Sequence, residues 1–237
     1  MVRKVSIPLL IGLLCFALAG VAIAKDAVGT PGNDTLRGSD GPDQLYGEGG
    51  HDTLEALRGD DYVEAGPGAD LVFGGGGVDL LLGGTSHDTI RGDAGQDTVY
   101  AGHGNDRVWG GPDGDRLLGQ AGHDDLAGGG GPDRIWGGTG ADRLSGGSGN
   151  DYLTASAQSL VSGGDNDDTI FIHREGGSVA RLLAAGYELR GGLGNDSIDA
   201  RDGRTSFVDC GSGSDRAYVD ARDRTRGCER RIVGARQ

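Results

Sequence analysis

The chain has 237 residues, of which 50 are glycine and only 5% aromatic, and 36 acidic residues against 22 basic ones give a formal charge of −14. That balance excludes a protein built to track phosphate backbones, which needs a basic excess. The shortage of large apolar side chains excludes an ordinary globular domain around one thick core.

Taken from the start, residues 1–24 read as a secretory signal. Arg3 and Lys4 form the charged segment, Ile7 to Val21 the apolar one, and Ala22-Ile23-Ala24 a small-residue cleavage site. Cleavage after Ala24 predicts a secreted, extracellular chain beginning at Lys25, with two positive charges fewer and a net charge of −16. An uncleaved membrane anchor is the alternative, disfavoured by the short apolar stretch. Leu14 precedes Cys15 where a lipoprotein signal has a small residue.

From residue 25 a nine-residue repeat takes over. Aspartate stands at every ninth position: Asp34, Asp43, Asp52, Asp61, Asp70, Asp79, Asp88, Asp97, Asp106, Asp115, Asp124, Asp133, Asp142 and Asp151. Two residues after each of the fourteen comes an aliphatic side chain, from Leu36 to Leu153. Two residues before it stands Gly in twelve cases, Ser86 and Asp113 departing. Five before it stands Gly in eleven, with Ala56, Ala65 and Ala101 the exceptions.

The unit is therefore GxxGxDxUx, with U aliphatic. A helix does not fit it, because nine residues make two and a half turns and each unit would carry several helix-weakening glycines. A tight Gly-rich turn followed by a three-residue strand with its middle side chain inward does fit. Two units return the chain to its starting side, so one coil takes 18 residues. The expected fold is all-β: a parallel β-roll, a right-handed β-solenoid with the aliphatic residues inside.

Beyond Thr154 the register loosens. Residues 155–162 read as a shortened unit with Leu160 inward, and 163–171 restore the pattern around Asp168 and Ile170. Repeats thus span 25–171. An insertion at 172–190 follows, in which Ser178 to Ala185 has the pattern of a short amphipathic helix. Residues 191–199 resume with Asp196, and 210–218 form a last weak unit with Asp215. From Arg201 to the end nine Arg stand against six acids, so 191–237 read as degenerate repeats and a C-terminal cap. Cys210 and Cys228, the two cysteines outside the signal, predict a disulfide pinning that cap in an exported chain.

Stacked coils align aspartates 18 apart. Unit charges about 5 Å apart repel by roughly 0.8 kcal/mol even in water, so such a row needs cations between its rungs. Ca²⁺ suits it: the ion takes six to eight oxygens in irregular geometry, and glycine turns free main-chain carbonyls to supply some of them. Mg²⁺ demands a stricter octahedron. Zn²⁺ would call for Cys or His, and His51, His87 and His123 recur two coils apart, too distant to share a metal.

The stretches GGTGADRLS (137–145), GGSGNDYLT (146–154) and GGLGNDSID (191–199) carry every fixed position of the GGxGxDxUx nonapeptide. The unit is similar to that of the RTX, or haemolysin-type, calcium-binding repeat. The resemblance spans 26–154 strongly and 163–218 in patches. It implies several calcium ions between turns, held by turn carbonyls and by the aspartates Asp34 to Asp151 named above, with Asp168 and Asp196. Many family members end in a C-terminal export signal and carry a toxin, protease or lipase domain; this chain has an N-terminal signal instead.

The function expected is that of a secreted calcium-binding structural or interaction module whose folding is coupled to extracellular Ca²⁺. An enzyme is not expected, for the sequence has no HExxH, no GxSxG elbow and no phosphate-binding loop. An adhesin or carbohydrate-binding surface is the second reading, resting on Tyr46, Phe73, Tyr100, Trp109 and Trp136 at the outward last position of their units. They alternate between faces, so a single aromatic stripe is not expected.

Overall fold

The computed structural model describes residues 22–23, 26–156, 158–173, 188–203 and 205–234. Among these are 24 strands and no helix, alternating between two parallel twelve-stranded sheets, the odd-numbered strands in one and the even-numbered in the other. A chain that changes sheet at every strand, while each strand pairs in parallel with the strand two ahead, winds as a solenoid, here of about eleven turns.

The register carries the 18-residue coil directly. In one sheet Leu54 pairs with Val72 and Val72 with Ile90; in the other Leu81 pairs with Val99 and Val99 with Leu117. These side chains are fully buried between the sheets, each worth about 1.5–3 kcal/mol. Steps toward the two ends of the chain depart from 18 in both sheets, and three successive ones in the odd sheet show how. Leu144 pairs with Val161, 17 residues on; Val161 with Leu189, 28 on; and Leu189 with Val208, 19 on. The pairing is kept through each change of length.

Most strands are longer than the three residues expected. Thr53–Arg58 and Leu71–Gly76 run six residues, with the aliphatic residue and the residue two after it both inward. The first residue of each unit is therefore a core position, and a glycine there continues the strand. Ala56, Ala65 and Ala101 place their methyl groups in the core at that position, with no exposed surface.

One other expectation is corrected and one is extended. Leu160 is 44% exposed and Val161 is the inward residue of the shortened unit, because the step is shortened by one residue. The five aromatics named from the sequence do alternate between the faces, but further aromatics join those on the even sheet, and Trp136, Tyr152 and Phe171 form a contiguous row. Tyr46, Tyr100 and Trp136 lie on the even sheet with Tyr62, Tyr152, Phe171 and Tyr218, whose strands all belong to it, whereas Phe73 and Trp109 lie on the odd sheet. The rows join because aromatics at the seventh position of a unit sit on the same outer face as those at the ninth.

The segment after Arg201 does more than cover the stack: Phe207–Ser212, Arg216–Val219, Arg224–Arg226 and Arg230–Val233 extend both sheets. The last strand of each sheet is thus rich in arginine, a charged edge that discourages pairing with a further chain. Cys210 and Cys228 are disulfide-bonded with Cα atoms 5.1 Å apart, tying neighbouring coils of this end together. At the other end Ala22–Ile23 pairs with Leu36–Arg37. The rest of the predicted signal and the predicted helix at 178–185 lie outside the described residues.

Candidate metal-binding ladders

The aspartates line the two turn edges of the roll, one row on each. Their position follows from the repeat: the aspartate closes the turn two residues before an inward aliphatic side chain, and is itself almost wholly buried from Asp43 to Asp151. The main-chain N–H of each donates to Oδ1 of the aspartate one coil on. On one edge Asp34 reaches Asp52 at 2.8 Å, and the line continues through Asp70, Asp88, Asp106 and Asp124 to Asp142.

There the Asp142 N–H meets Ser159 Oγ instead, at 3.0 Å. The other edge is unbroken: Asp43, Asp61, Asp79, Asp97, Asp115, Asp133, Asp151, Asp168, Asp196 and Asp215, closed by Glu229 Oε2 at 2.7 Å. All sixteen aspartates expected from the sequence stand in these two rows. Ser159, Asp215 and Glu229 are additional members. Ser159 stands two residues before the inward Val161, the spacing of the aspartates themselves; assigning Leu160 to the core hides it. Glu229 stands two residues before Arg231, which pairs with the buried Ala217.

Oδ1 is thus used within the ladder, and for most of these carboxylates the other oxygen has no such use. Oδ2 is buried without a hydrogen-bond partner in Asp52, Asp61, Asp70, Asp79, Asp88, Asp97, Asp106, Asp115, Asp124, Asp133, Asp151, Asp168, Asp196 and Asp215. A buried, unpaired carboxylate oxygen is strongly unfavourable. The first two rungs avoid this: Thr30 N–H and Ser39 N–H each donate to Oδ2 of the aspartate four residues on, at 2.6 Å.

The surroundings of Oδ2 are rich in oxygen. A Cβ added at Gly92 would lie 2.3 Å from Asp97 Oδ2 and 2.7 Å from the Gly110 carbonyl oxygen; at Gly119 it would lie 2.5 Å from both Asp124 Oδ2 and the Gly137 carbonyl. The first glycine of the unit keeps open a cradle where a carboxylate and the carbonyl one coil on converge, two acceptors with no donor between them. A hard cation meets that demand. Among the described residues no three His, Cys, Asp or Glu side chains gather at one point, so the donor set has to combine carboxylate with main-chain carbonyl. That mixture suits calcium and does not suit zinc. Ala56, Ala65 and Ala101 put a methyl group at the cradle position of their units.

The histidines serve a second ladder of opposite polarity, at the position before the aspartate. The Ala69, Asn105 and Ala141 N–H groups donate to Nδ1 of His51, His87 and His123, and the His51 and His123 N–H groups to Oδ1 of Asn33 and Asn105. These side chains fasten successive turns.

Burial raises the carboxyl pKa values of Asp79, Asp88, Asp124, Asp133 and Asp168 to about 7, and those of Asp97, Asp115 and Asp196 to about 6, despite the opposing N–H bond to each. Charged neighbours in the same row add to the rise for most of them. Because these values exceed the ordinary aspartate value of about 3.9, the roll without cations favours the protonated form. That contribution to stability is complete below about pH 4 and is lost as pH climbs through 6 to 7. Metal-stripped protein is accordingly expected to show its strongest β signal in far-UV circular dichroism near pH 4 and to lose it toward pH 8; a signal that strengthens with pH would contradict this.

A family model of the RTX calcium-binding nonapeptide repeat matches residues 28–63, 46–81, 57–90, 82–117, 118–153 and 188–204. Comparison with characterised proteins gives no significant match.

Proposed function

Since the chain belongs to the RTX calcium-binding nonapeptide repeat family, whose repeats form a calcium-binding structural module, we propose that it is a secreted β-roll that folds when it reaches extracellular calcium. The observation that carries this reading is the row of buried Oδ2 atoms without donors, most of them close to a main-chain carbonyl oxygen of the next coil. Asp34 to Asp151, Asp168 and Asp196 are the proposed ligands, joined by Asp215, which continues the unbroken row. Asp61, Asp70 and Asp106, whose units begin with alanine, are the weaker members.

Calcium bound at these positions offsets the burial and mutual repulsion of the carboxylates, so its binding free energy becomes folding free energy. In a calcium-poor cytosol the acidic, aromatic-poor chain stays unfolded. Outside the cell, loss of residues 1–24 removes only the two-residue strand Ala22–Ile23 from the described roll. Equilibrium dialysis of the exported protein tests the reading: several calcium ions per chain, on a polypeptide whose first residue is Lys25, are expected. One ion or none, or a chain retained in the cytosol, would contradict it.

A further inference from the structure

The outer face of the even sheet departs from the rest of the molecule in its chemistry. Five neighbouring strands, Thr98–His103, Arg116–Ala121, Arg134–Thr139, Tyr152–Ser156 and Thr169–His173, contain no acidic residue, in a chain that has 36. Arg116 and Arg134 are register partners on adjacent strands, whose backbones run about 4.8 Å apart, so two like charges are neighbours on this face. Both are exposed, and neither makes an ion pair among the described residues. Like charges placed opposite each other destabilise a sheet, and acids that would neutralise them are absent from these strands.

Beside the pair runs a line of rings. Trp136 and Tyr152 have centroids 6.3 Å apart, and Tyr152 and Phe171 5.4 Å apart. The Arg116 guanidinium lies 4.9 Å from the Trp136 ring centre, a stacking that leaves the N–H edges of the guanidinium available for a carboxylate. Tyr152 is 38% exposed. Since the rings sit on a sheet and brace one another, a ligand meets a surface that is already ordered.

We propose that this face binds an extended glycan that bears carboxylates, a polymer of uronic acid. Its sugar rings pack along Trp136, Tyr152 and Phe171, and Arg116 and Arg134 receive its carboxylates as forked hydrogen-bonded pairs. The rings follow the axis of the coil, so the ligand is a chain lying across successive strands. The proposal rests on the folded roll and not on which aspartates hold calcium.

The test is calorimetric titration of short galacturonate oligomers into the purified protein in calcium, with far-UV circular dichroism in the same buffer to establish that the roll has formed. The Arg116→Ala/Arg134→Ala double variant and Trp136→Ala should each weaken binding by about tenfold or more. Arg143→Ala and Trp109→Ala, on the opposite sheet, should leave it within about twofold. Folded protein that does not bind, equal losses in both sets of variants, equal binding of a neutral glucose oligomer, or a dimer abolished by Trp136→Ala would each overturn the proposal. A chain lacking β structure in calcium would overturn the calcium-coupled reading as well, since the face would not exist.

Discussion

Exchanging Asp79, Asp97, Asp115 and Asp133 together for asparagine is expected to make the metal-free protein more stable and the calcium-loaded protein less stable than the parent. Asparagine keeps the Oδ1 acceptor that receives the N–H of the preceding coil. Where the carboxylate presents a buried Oδ2 without a donor, the amide presents N–H groups facing the neighbouring carbonyl. Each exchange relieves a buried, unsatisfied group, a gain of roughly 1–3 kcal/mol. In calcium the sign reverses, because each ion lost forfeits about 2.7 kcal/mol when calcium stands a hundredfold above its dissociation constant. Urea unfolding in chelator and in calcium measures both. A variant weaker than the parent in both buffers would mean that the carboxylates stabilise the roll without a cation, and calcium would no longer be needed to explain the two rows.

The second large effect is steric. Gly122 has φ +148°, and a Cβ built on it would lie 1.3 Å from the Gly104 carbonyl oxygen. Neither atom can move without displacing a whole coil, because the turns are stacked along their entire length. Gly122→Ala is expected to cost more than about 3 kcal/mol in saturating calcium, well above the usual glycine penalty. Ser86 holds the same position in its unit with φ +91°, a left-handed conformation that costs a non-glycine residue about 1–2 kcal/mol. Ser86→Gly should recover part of that. Thermal unfolding of the two variants reads both signs, and a neutral Gly122→Ala would show that the coils are packed less closely than these distances require.

The repeat makes the architecture readable without the structure. A fixed nine-residue phase of aspartate and aliphatic side chain leaves one arrangement in which every U residue is inward and every aspartate lies at a turn. The coil length and the two rows follow from it, and the disulfide from the two cysteines that remain outside the signal. What the phase does not convey is the role of the glycines. The first glycine reads as part of a turn, since glycine carries no side chain to mark a direction, yet it occupies an inward strand position and keeps the oxygen cradle open.

Where the phase slips, so does the reading. Leu160 and Val161 are both apolar, and only the pairing of Val161 with Leu144 and Leu189 separates them. Glu229 is hidden because its unit opens with Arg224 and Thr225 in place of glycine and carries Glu in place of Asp, keeping only Gly227 of the pattern. The aromatic line escapes a reading by position because its members come from two places in the unit, which the winding brings to one face.

The central claim, that calcium drives this chain to fold, is tested most directly by far-UV circular dichroism of residues 25–237 stripped of metal and titrated with calcium, with magnesium in parallel. Calcium-driven folding predicts a coil spectrum at neutral pH that turns cooperatively to β as calcium reaches millimolar levels and does not respond in the same way to magnesium. A β spectrum that persists in chelator, or a coil spectrum that calcium leaves unchanged, would contradict it.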